Sequence, residues 1–168
     1  MDINKSVAKP WSQSAALSEQ SGELDVMPTQ NRCRWEHFAH GADIGIRGIG
    51  LSMAQAFEQA ARAMTAAMVD PDIVATDAAV EISCSGHDPA DLFYTWLNAV
   101  VFEMAIRRMI FGRFDVKIHG LTLHAVAWGE RVSPSRHEPA VEIKGATLTG
   151  LQVRYEDSTW IAECIVDV

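Results

Sequence analysis

The order of hydrophobic patterns along the chain is the feature that most limits the folds open to it. Residues 53–68 carry apolar side chains at helical spacing, and a second helical pattern begins at Asp88. Two strand-like stretches joined near His40–Gly41 precede the first helix, one lies between the helices, and about five follow the second. This order predicts a single-domain α+β fold, with a mostly antiparallel or mixed β-sheet and two helices packed on one face.

Signals at the helix ends support both helices. Ser52 and Gln55 form the pattern of a capping box before the first helix, and Asp70–Pro71 is typical of its end. Asp88 is a natural cap for the second helix, and Pro89 suits its first position. The helix boundaries therefore follow from local chemistry as well as from periodicity.

The first 31 residues differ from the rest of the chain. They are rich in Ser, Gln and Lys and hold only scattered apolar side chains, so we expect a mobile tail at 1–31 and a folded domain at 32–168. The start lacks the apolar run of a secretory signal, and no later segment has the length and apolar character of a membrane span. A cytoplasmic protein that does not contact membranes is the expectation.

Charge and cysteine usage exclude some classes of function. The formal net charge is −8, which argues against gripping nucleic acid through a basic surface and suits a basic partner or metal chelation. Cys33, Cys84 and Cys164 lie far apart without a CxxC pair, so neither a zinc site nor a disulfide framework is expected. The chain also lacks the P-loop, Rossmann, HExxH and GxSxG motifs, which lowers the expectation of an enzyme.

Acidic residues near both ends of the folded part are candidate ligands. Asp43 follows the turn at Gly41, and Asp167 precedes Val168, whose main-chain or terminal oxygen is a further donor. Each has a simpler reading, since Asp43 can cap the turn and Asp167 can be solvated charge. If the two lie side by side, their hard oxygens favour Ca²⁺, Mg²⁺ or Mn²⁺ over Zn²⁺.

A third group of polar residues lies around the segment 130–144. Glu130 and His137 flank a long polar loop at 131–139, where charged side chains are usually a solvated rim. Lys144 follows Ile143, which should face the core, so the ammonium of Lys144 should lie on the open face. There it can steady carboxylates or contact a phosphate.

Several stretches together resemble the archease family. "FAHGADIGIRGIG" is similar to that family's HTADIG segment, and "DLFYTWLNAVVFE" is similar to its second helix. "WGE", "SRHEPAVEIKGATL" and the final "CIVDV" resemble its later motifs in order and spacing. The resemblance runs from about Trp35 to Val168, and it leaves out the N-terminal tail.

The resemblance implies an α+β accessory protein that promotes guanylylation of RtcB-type RNA ligases in tRNA splicing and RNA repair, and that is not itself a catalyst. It implies a divalent metal, calcium first and Mg²⁺ or Mn²⁺ otherwise, with Asp43, Asp167 and Val168 as ligands. Lys144 matches a family lysine, and further candidates for the activating surface are His40, Glu130 and His137.

The sequence departs from the family pattern at Gly41, Leu148 and Thr149, where Thr, Tyr and His are usual. These changes bear on the surface that meets the ligase, while the aspartates are kept.

Two other functions remain open. One is a general chaperone or adaptor that needs no metal, and the other is a hydrolase that uses Asp43 and Asp167 as an acid pair, for which no nucleophile is evident.

Overall fold

The structure, a computed structural model, describes residues 33–168, so the predicted tail at 1–31 lies outside the described residues. The strands are β1 (Arg34–His40), β2 (Asp43–Gly50), β3 (Ala78–Ser85), β4 (Met109–His119), β5 (Thr122–Arg131), β6 (Gly145–Ala146), β7 (Gln152–Glu156) and β8 (Thr159–Asp167). The helices are α1 (Met53–Met68), α2 (Pro89–Arg107) and the single turn α3 (Pro134–His137), with a 3₁₀ turn at Pro71–Ile73.

Both long helices begin at their predicted caps. The Ser52 hydroxyl accepts a hydrogen bond from the Gln55 N–H, and the Gln55 side chain accepts one from the N–H of Leu51, one residue before the partner of a standard capping box. The Asp88 carboxylate accepts the N–H of Asp91 at the start of α2. The prediction of α1 over residues 53–68 is confirmed at both ends.

The strands form two antiparallel sheets. One has the order β1-β2-β8-β6, with β7 also paired to β8, and the other has the order β3-β5-β4. Helix α1 contacts strands of both sheets, and Trp96 on α2 donates its indole N–H to the Phe57 carbonyl of α1. Both of these side chains are fully buried. The α+β class and the antiparallel pairing are confirmed, and the strands are divided between two sheets.

One predicted strand is much shorter than expected. Of the segment 140–148, only Gly145–Ala146 is strand, because β7 already pairs with residues 159–163 of β8 and only the last residues of this edge are left for β6. The preceding residues instead place Ile143 in the core. Beyond Ala146, single hydrogen bonds join Ile165 to Thr147 and Thr149. The polar loop predicted at 131–139 contains α3, whose first residue is Pro134.

Within residues 33–168, none of the helices combines the length and the apolar character needed to cross a lipid bilayer.

The three cysteines are free, and Cys164 is buried while Cys33 and Cys84 are half-buried. Burial raises the pKa of the Cys164 thiol to about 12 and that of Cys84 to about 11, so both stay protonated. Cys84 and Cys164 are therefore packed thiols rather than reactive thiolates.

Candidate functional site

The pairing of β2 with β8 brings the two candidate aspartates together. Ile44 lies opposite Val166 in this antiparallel pair, so one residue further along the same register Asp43 lies opposite Asp167. Side chains directly opposite each other on neighbouring strands have their Cβ atoms about 5 Å apart. Asp43 is half-buried and Asp167 is exposed. The end of this strand pair is therefore an acidic tip, which we define as Asp43, Lys144, Asp167 and Val168.

The β1–β2 hairpin presents one side of the acidic tip. His40 lies opposite Asp43 across the turn at Gly41, and His40 is exposed. Gly41 has φ +62°, a conformation that side chains disfavour, although no atom would lie within 4 Å of an added Cβ. The backbone of the turn, rather than crowding, thus accounts for glycine at this position.

Lys144 supplies the cation of the tip and is held there by β8. Its backbone N–H donates to the Asp167 carbonyl at 2.9 Å, and its Nζ donates to the Val168 carbonyl, also at 2.9 Å. The same ammonium lies 3.9 Å from Asp167 Oδ1. The side chains of Lys144 and Asp167 are 64% and 53% exposed, so the pair is open to water and to a partner.

Asn98 positions this part of the tip from behind. Its side-chain amide accepts the N–H of Ala146 at 3.1 Å and donates to the Ala146 carbonyl at 3.4 Å, which ties β6 to α2. A Cβ on Gly145 would lie 2.8 Å from Asn98 Oδ1, so this approach requires glycine. Asn98 was not among the predicted site residues, although an amide in the middle of an apolar helix indicates a hydrogen-bonded role.

The side chains of the acidic tip carry a net negative charge. The tip has two carboxylates, Asp43 and Asp167, and one ammonium, which lies near Asp167 and donates to the Val168 carbonyl. Such an all-oxygen set has the donor chemistry that Ca²⁺ and Mg²⁺ prefer. No group of three or more His, Cys, Asp or Glu side chains gathers as a metal site in residues 33–168. The tip thus offers two acidic side chains, and further ligands must be main-chain oxygens, water or groups from a partner.

Glu130 and His137 lie in a different cluster, in contact with each other rather than with the tip. The Glu130 carboxylate accepts the Ala75 N–H at 2.6 Å and the Arg136 guanidinium at 2.5 Å. Nε2 of His137 lies 3.2 Å from Glu130 Oε1, and Nδ1 accepts the Ser133 N–H, which places the ring proton on Nε2. The Ala75 N–H, with His137 and Arg136, lowers the pKa of Glu130.

The predicted site residues fall into two separate groups in the structure. The register of β2 and β8 sets Asp43 beside Asp167, and Lys144 contacts Asp167 and Val168 from the other side of β8. His40 lies across the hairpin from Asp43. The structure places the side chains of Glu130 and His137 at 9% and 0% exposure, where they hold α3 and the Ala75 backbone. Their part in activating a partner stays a prediction, and it would have to act through the loop that they hold.

The sequence and the fold both match known proteins. The sequence model described as "Archease protein family (MTH1598/TM1083)" matches residues 35–168. The archeases of Pyrococcus abyssi and Sulfolobus acidocaldarius are 36% and 34% identical to the chain, and each alignment covers 80% of this chain and 99% of the relative.

Two solved structures have the same fold. Protein 1598 of Methanobacterium thermoautotrophicum superposes with a TM-score of 0.70 at 30% identity, covering 80% of this chain and 98% of its own. An archease of Thermotoga maritima, described as a possible chaperone, superposes with a TM-score of 0.55 at 18% identity. That alignment covers 79% of this chain and 96% of the Thermotoga chain, and at this identity it speaks for the fold alone.

Proposed function

The chain belongs to the archease family, and from that premise we propose that it is an accessory protein that activates an RtcB-type RNA ligase through its acidic tip. The tip would enter the ligase active site and promote the guanylylation that precedes RNA joining. The observation that carries this proposal is the register of β2 and β8, which sets Asp43 opposite Asp167 beside Lys144.

The charge of the chain supports a protein target rather than RNA itself. A net charge of −8 and an acidic tip repel phosphates, so the chain does not bind RNA by neutralising its backbone. The active site of an RNA ligase handles polyanions and therefore needs positive charge of its own. An acidic projection complements such a site and speeds correct encounter.

A divalent cation fits the same proposal. Asp43 and Asp167 would hold it through carboxylates and Val168 through a main-chain oxygen, with calcium as the first expectation and Mg²⁺ or Mn²⁺ as alternatives. Once bound, the ion would supply concentrated positive charge to phosphate oxygens of the ligase's nucleotide. Lys144 would remain the tip's own cation, released from the Val168 carbonyl to contact a phosphate as a point charge.

The direct test is guanylylation of a purified RtcB-type ligase with radiolabelled GTP, with and without the protein. Asp43→Asn, Asp167→Asn and Lys144→Met should each lower stimulation by about tenfold or more, since each removes a charge that meets the partner. Asp157→Asn is the matched control, because this exposed acid lies in the turn at the other end of β8 and its left-handed backbone accepts Asn. Full stimulation by Asp167→Asn would reject the acidic tip as the activating element.

Metal dependence is tested separately by calorimetric titration of calcium into the full chain. Binding that disappears in Asp43→Asn and Asp167→Asn but persists in Asp157→Asn supports the ligand assignment. If none of the three substitutions changes calcium binding, the metal site is not at the tip. Activation of the ligase by the tip is then judged by the guanylylation test alone.

A second candidate function is a general chaperone or adaptor without a metal requirement. Exposed apolar side chains favour it, since Leu148 and Tyr155 are 71% and 61% exposed. It predicts suppressed aggregation of unrelated proteins by wild type, by Asp167→Asn and in chelator alike. If aggregation is suppressed in this way and ligase guanylylation is unchanged, this second function replaces the first.

A further inference from the structure

A groove with two chemically different halves lies at the C-terminal end of α2, and we call it the arginine groove. Its apolar half is a cavity of about 490 Å³, a volume typical of ligand sites. Its basic half is an adjoining depression of about 390 Å³ that contains three arginines. The halves share Arg108 and Met109, so an occupant can contact both at once.

The apolar half can adapt to the side chains that enter it. Met68, Met104 and Met109 line it from three different elements, and methionine side chains adjust their shape to varied partners. Apolar surface also continues outside the cavity on α2, where Phe102 and Ile106 are 59% and 57% exposed. Ile106 lines the basic half and Phe102 lies one helical turn before it, so apolar contact continues along α2 past the cavity, as a bound chain segment requires.

The basic half is fixed by the backbone. Arg108 ends α2 in the left-handed conformation, with φ 54°, and its carbonyl accepts the Val132 N–H at 3.0 Å. The next residue, Met109, lies opposite Arg131 in the β4–β5 pair. The backbones of Arg108 and Arg131 are therefore held on neighbouring strands at the same edge of the groove.

Arg108 and Arg131 carry positive charges that no carboxylate of residues 33–168 neutralises by an ion pair. Arg107 pairs with Glu103, but neither Arg108 nor Arg131 forms an ion pair with any carboxylate of residues 33–168. Glu142 is the one acid among the residues that line the two halves, and it lies on the rim of the apolar half. In a chain of net charge −8, this local excess of guanidinium groups marks a place that attracts carboxylates.

We propose that the arginine groove docks a segment of a partner protein in which apolar side chains are interspersed with Asp or Glu. The apolar residues of that segment fill the methionine-lined cavity, and its carboxylates meet Arg108 and Arg131. RNA fits less well, because no aromatic ring lines the cavity itself and the exposed Phe102 offers a base only one stacking surface outside it.

The groove and the acidic tip are different surfaces that share one segment of chain. Residues 139–143 contribute Pro139, Val141 and Ile143 to the groove, and Lys144 of the tip follows immediately. A partner could hold both surfaces, but the groove proposal does not rest on ligase activation. Substitutions in the groove leave Asp43 and Asp167 unchanged, so the two proposals can fail separately.

Fluorescence anisotropy on the full chain tests the chemistry of the occupant. The probe is a fluorescein-labelled peptide in which pairs of leucines alternate with pairs of aspartates, and its counterpart carries lysine in place of aspartate. We expect saturable binding of the acidic peptide that weakens as salt is raised, and at least about tenfold weaker binding of the lysine peptide. Equal binding of both peptides, or binding of neither, overturns the proposal.

Matched variants locate the binding. Arg108→Gln combined with Arg131→Gln should raise the dissociation constant of the acidic peptide by about tenfold, since two charge-assisted contacts are lost. Arg34→Gln combined with Lys117→Gln removes the same charge from exposed positions elsewhere and should change it by less than about twofold. Equal effects of the two double variants would show attraction to charge in general and reject the groove.

The apolar half and the competing occupants are tested on the same samples. Phe102→Ser should weaken binding of the acidic peptide, whereas Tyr155→Ser, at a similarly exposed aromatic residue on β7, should not. Preference for a labelled uridine oligonucleotide over the acidic peptide overturns the assignment to a peptide. A dimer that is seen in sedimentation velocity and is dissociated by Phe102→Ser also overturns this assignment. The groove would then be covered by a second copy of the chain.

Discussion

At the acidic tip, the side chains of Lys144 and Asp167 are 64% and 53% exposed and their charged groups lie 3.9 Å apart. Around Glu130, a carboxylate with 9% exposure accepts two hydrogen bonds of 2.5–2.6 Å and also contacts His137. Both places join an acid to a base, but only the second is enclosed by protein.

The contrast teaches how to separate structural from functional charge in this fold. The carboxylate of Glu130 has replaced its water by protein donors, so removing it must leave those donors without a partner. Asp43 and Asp167 keep water-facing oxygens and carry more negative charge than Lys144 balances. Changes at the Glu130 cluster should therefore alter stability, and changes at the tip should alter activity.

Glu130→Leu should give the largest loss of stability. The substitution leaves the Ala75 N–H without its acceptor and removes the carboxylate that lies beside the buried His137 ring, and removing one member of a buried polar group is costly. We expect the Tm in differential scanning calorimetry to fall by roughly 6 °C or more. Glu81→Leu, at an exposed strand position, should shift Tm by about 2 °C or less. Equal shifts for the two variants would contradict the structural reading of Glu130.

Asn98→Ala should have an intermediate effect, on stability and on activation alike. Loss of the two hydrogen bonds to Ala146 should cost about 1–3 kcal/mol in the free energy of unfolding, measured by urea titration. Because β6 carries the segment that begins at Lys144, ligase stimulation should fall as well. Arg34→Ala, at the exposed ion pair with Glu36 on β1, should cost about 0.5 kcal/mol and keep stimulation. Unchanged stimulation by Asn98→Ala would show that the clamp on β6 does not position the tip.

Asp167→Asn should change stability little while abolishing activation. An exposed pair at 3.9 Å contributes about 0–1 kcal/mol, and the substitution also relieves repulsion from Asp43. We expect the Tm to stay within about 3 °C of wild type. A much larger loss of Tm would mean that the acidic tip holds the sheet together, and the distinction drawn above would then fail.

The fold was largely predictable because its signals are local. Ser52 and Asp88 set the starts of α1 and α2, and the alternation around Ile44 and Val166 gave strands that the structure confirms. The short β6 was missed because its length depends on how much of the edge of β8 is left free by β7. No pattern within residues 140–148 contains that information.

The acidic tip was predictable only with the help of the family resemblance. The sequence shows Asp43 after the turn at Gly41 and Asp167 before Val168, but their pairing depends on the register between β2 and β8, which lie far apart in sequence. The surroundings of Glu130 could not be predicted, because its partners include the backbone N–H of Ala75, a group that every residue except proline has. Likewise, the arginine groove arises from the β4–β5 pairing that sets Met109 opposite Arg131.

The pH dependence of stability should show the smallest effect. The Ala75 N–H, with His137 and Arg136, lowers the pKa of folded Glu130 below its ordinary value of 4.5. A lowered pKa in the folded state gives stabilisation that is fully present above the unfolded pKa and is lost as pH falls through the folded pKa. The Tm of wild type should therefore fall more steeply below about pH 4.5 than that of Glu130→Gln, which has no carboxylate to protonate. Parallel Tm curves for the two proteins from pH 6 to pH 3 would mean that the ionised form of Glu130 is not what the enclosed contacts stabilise.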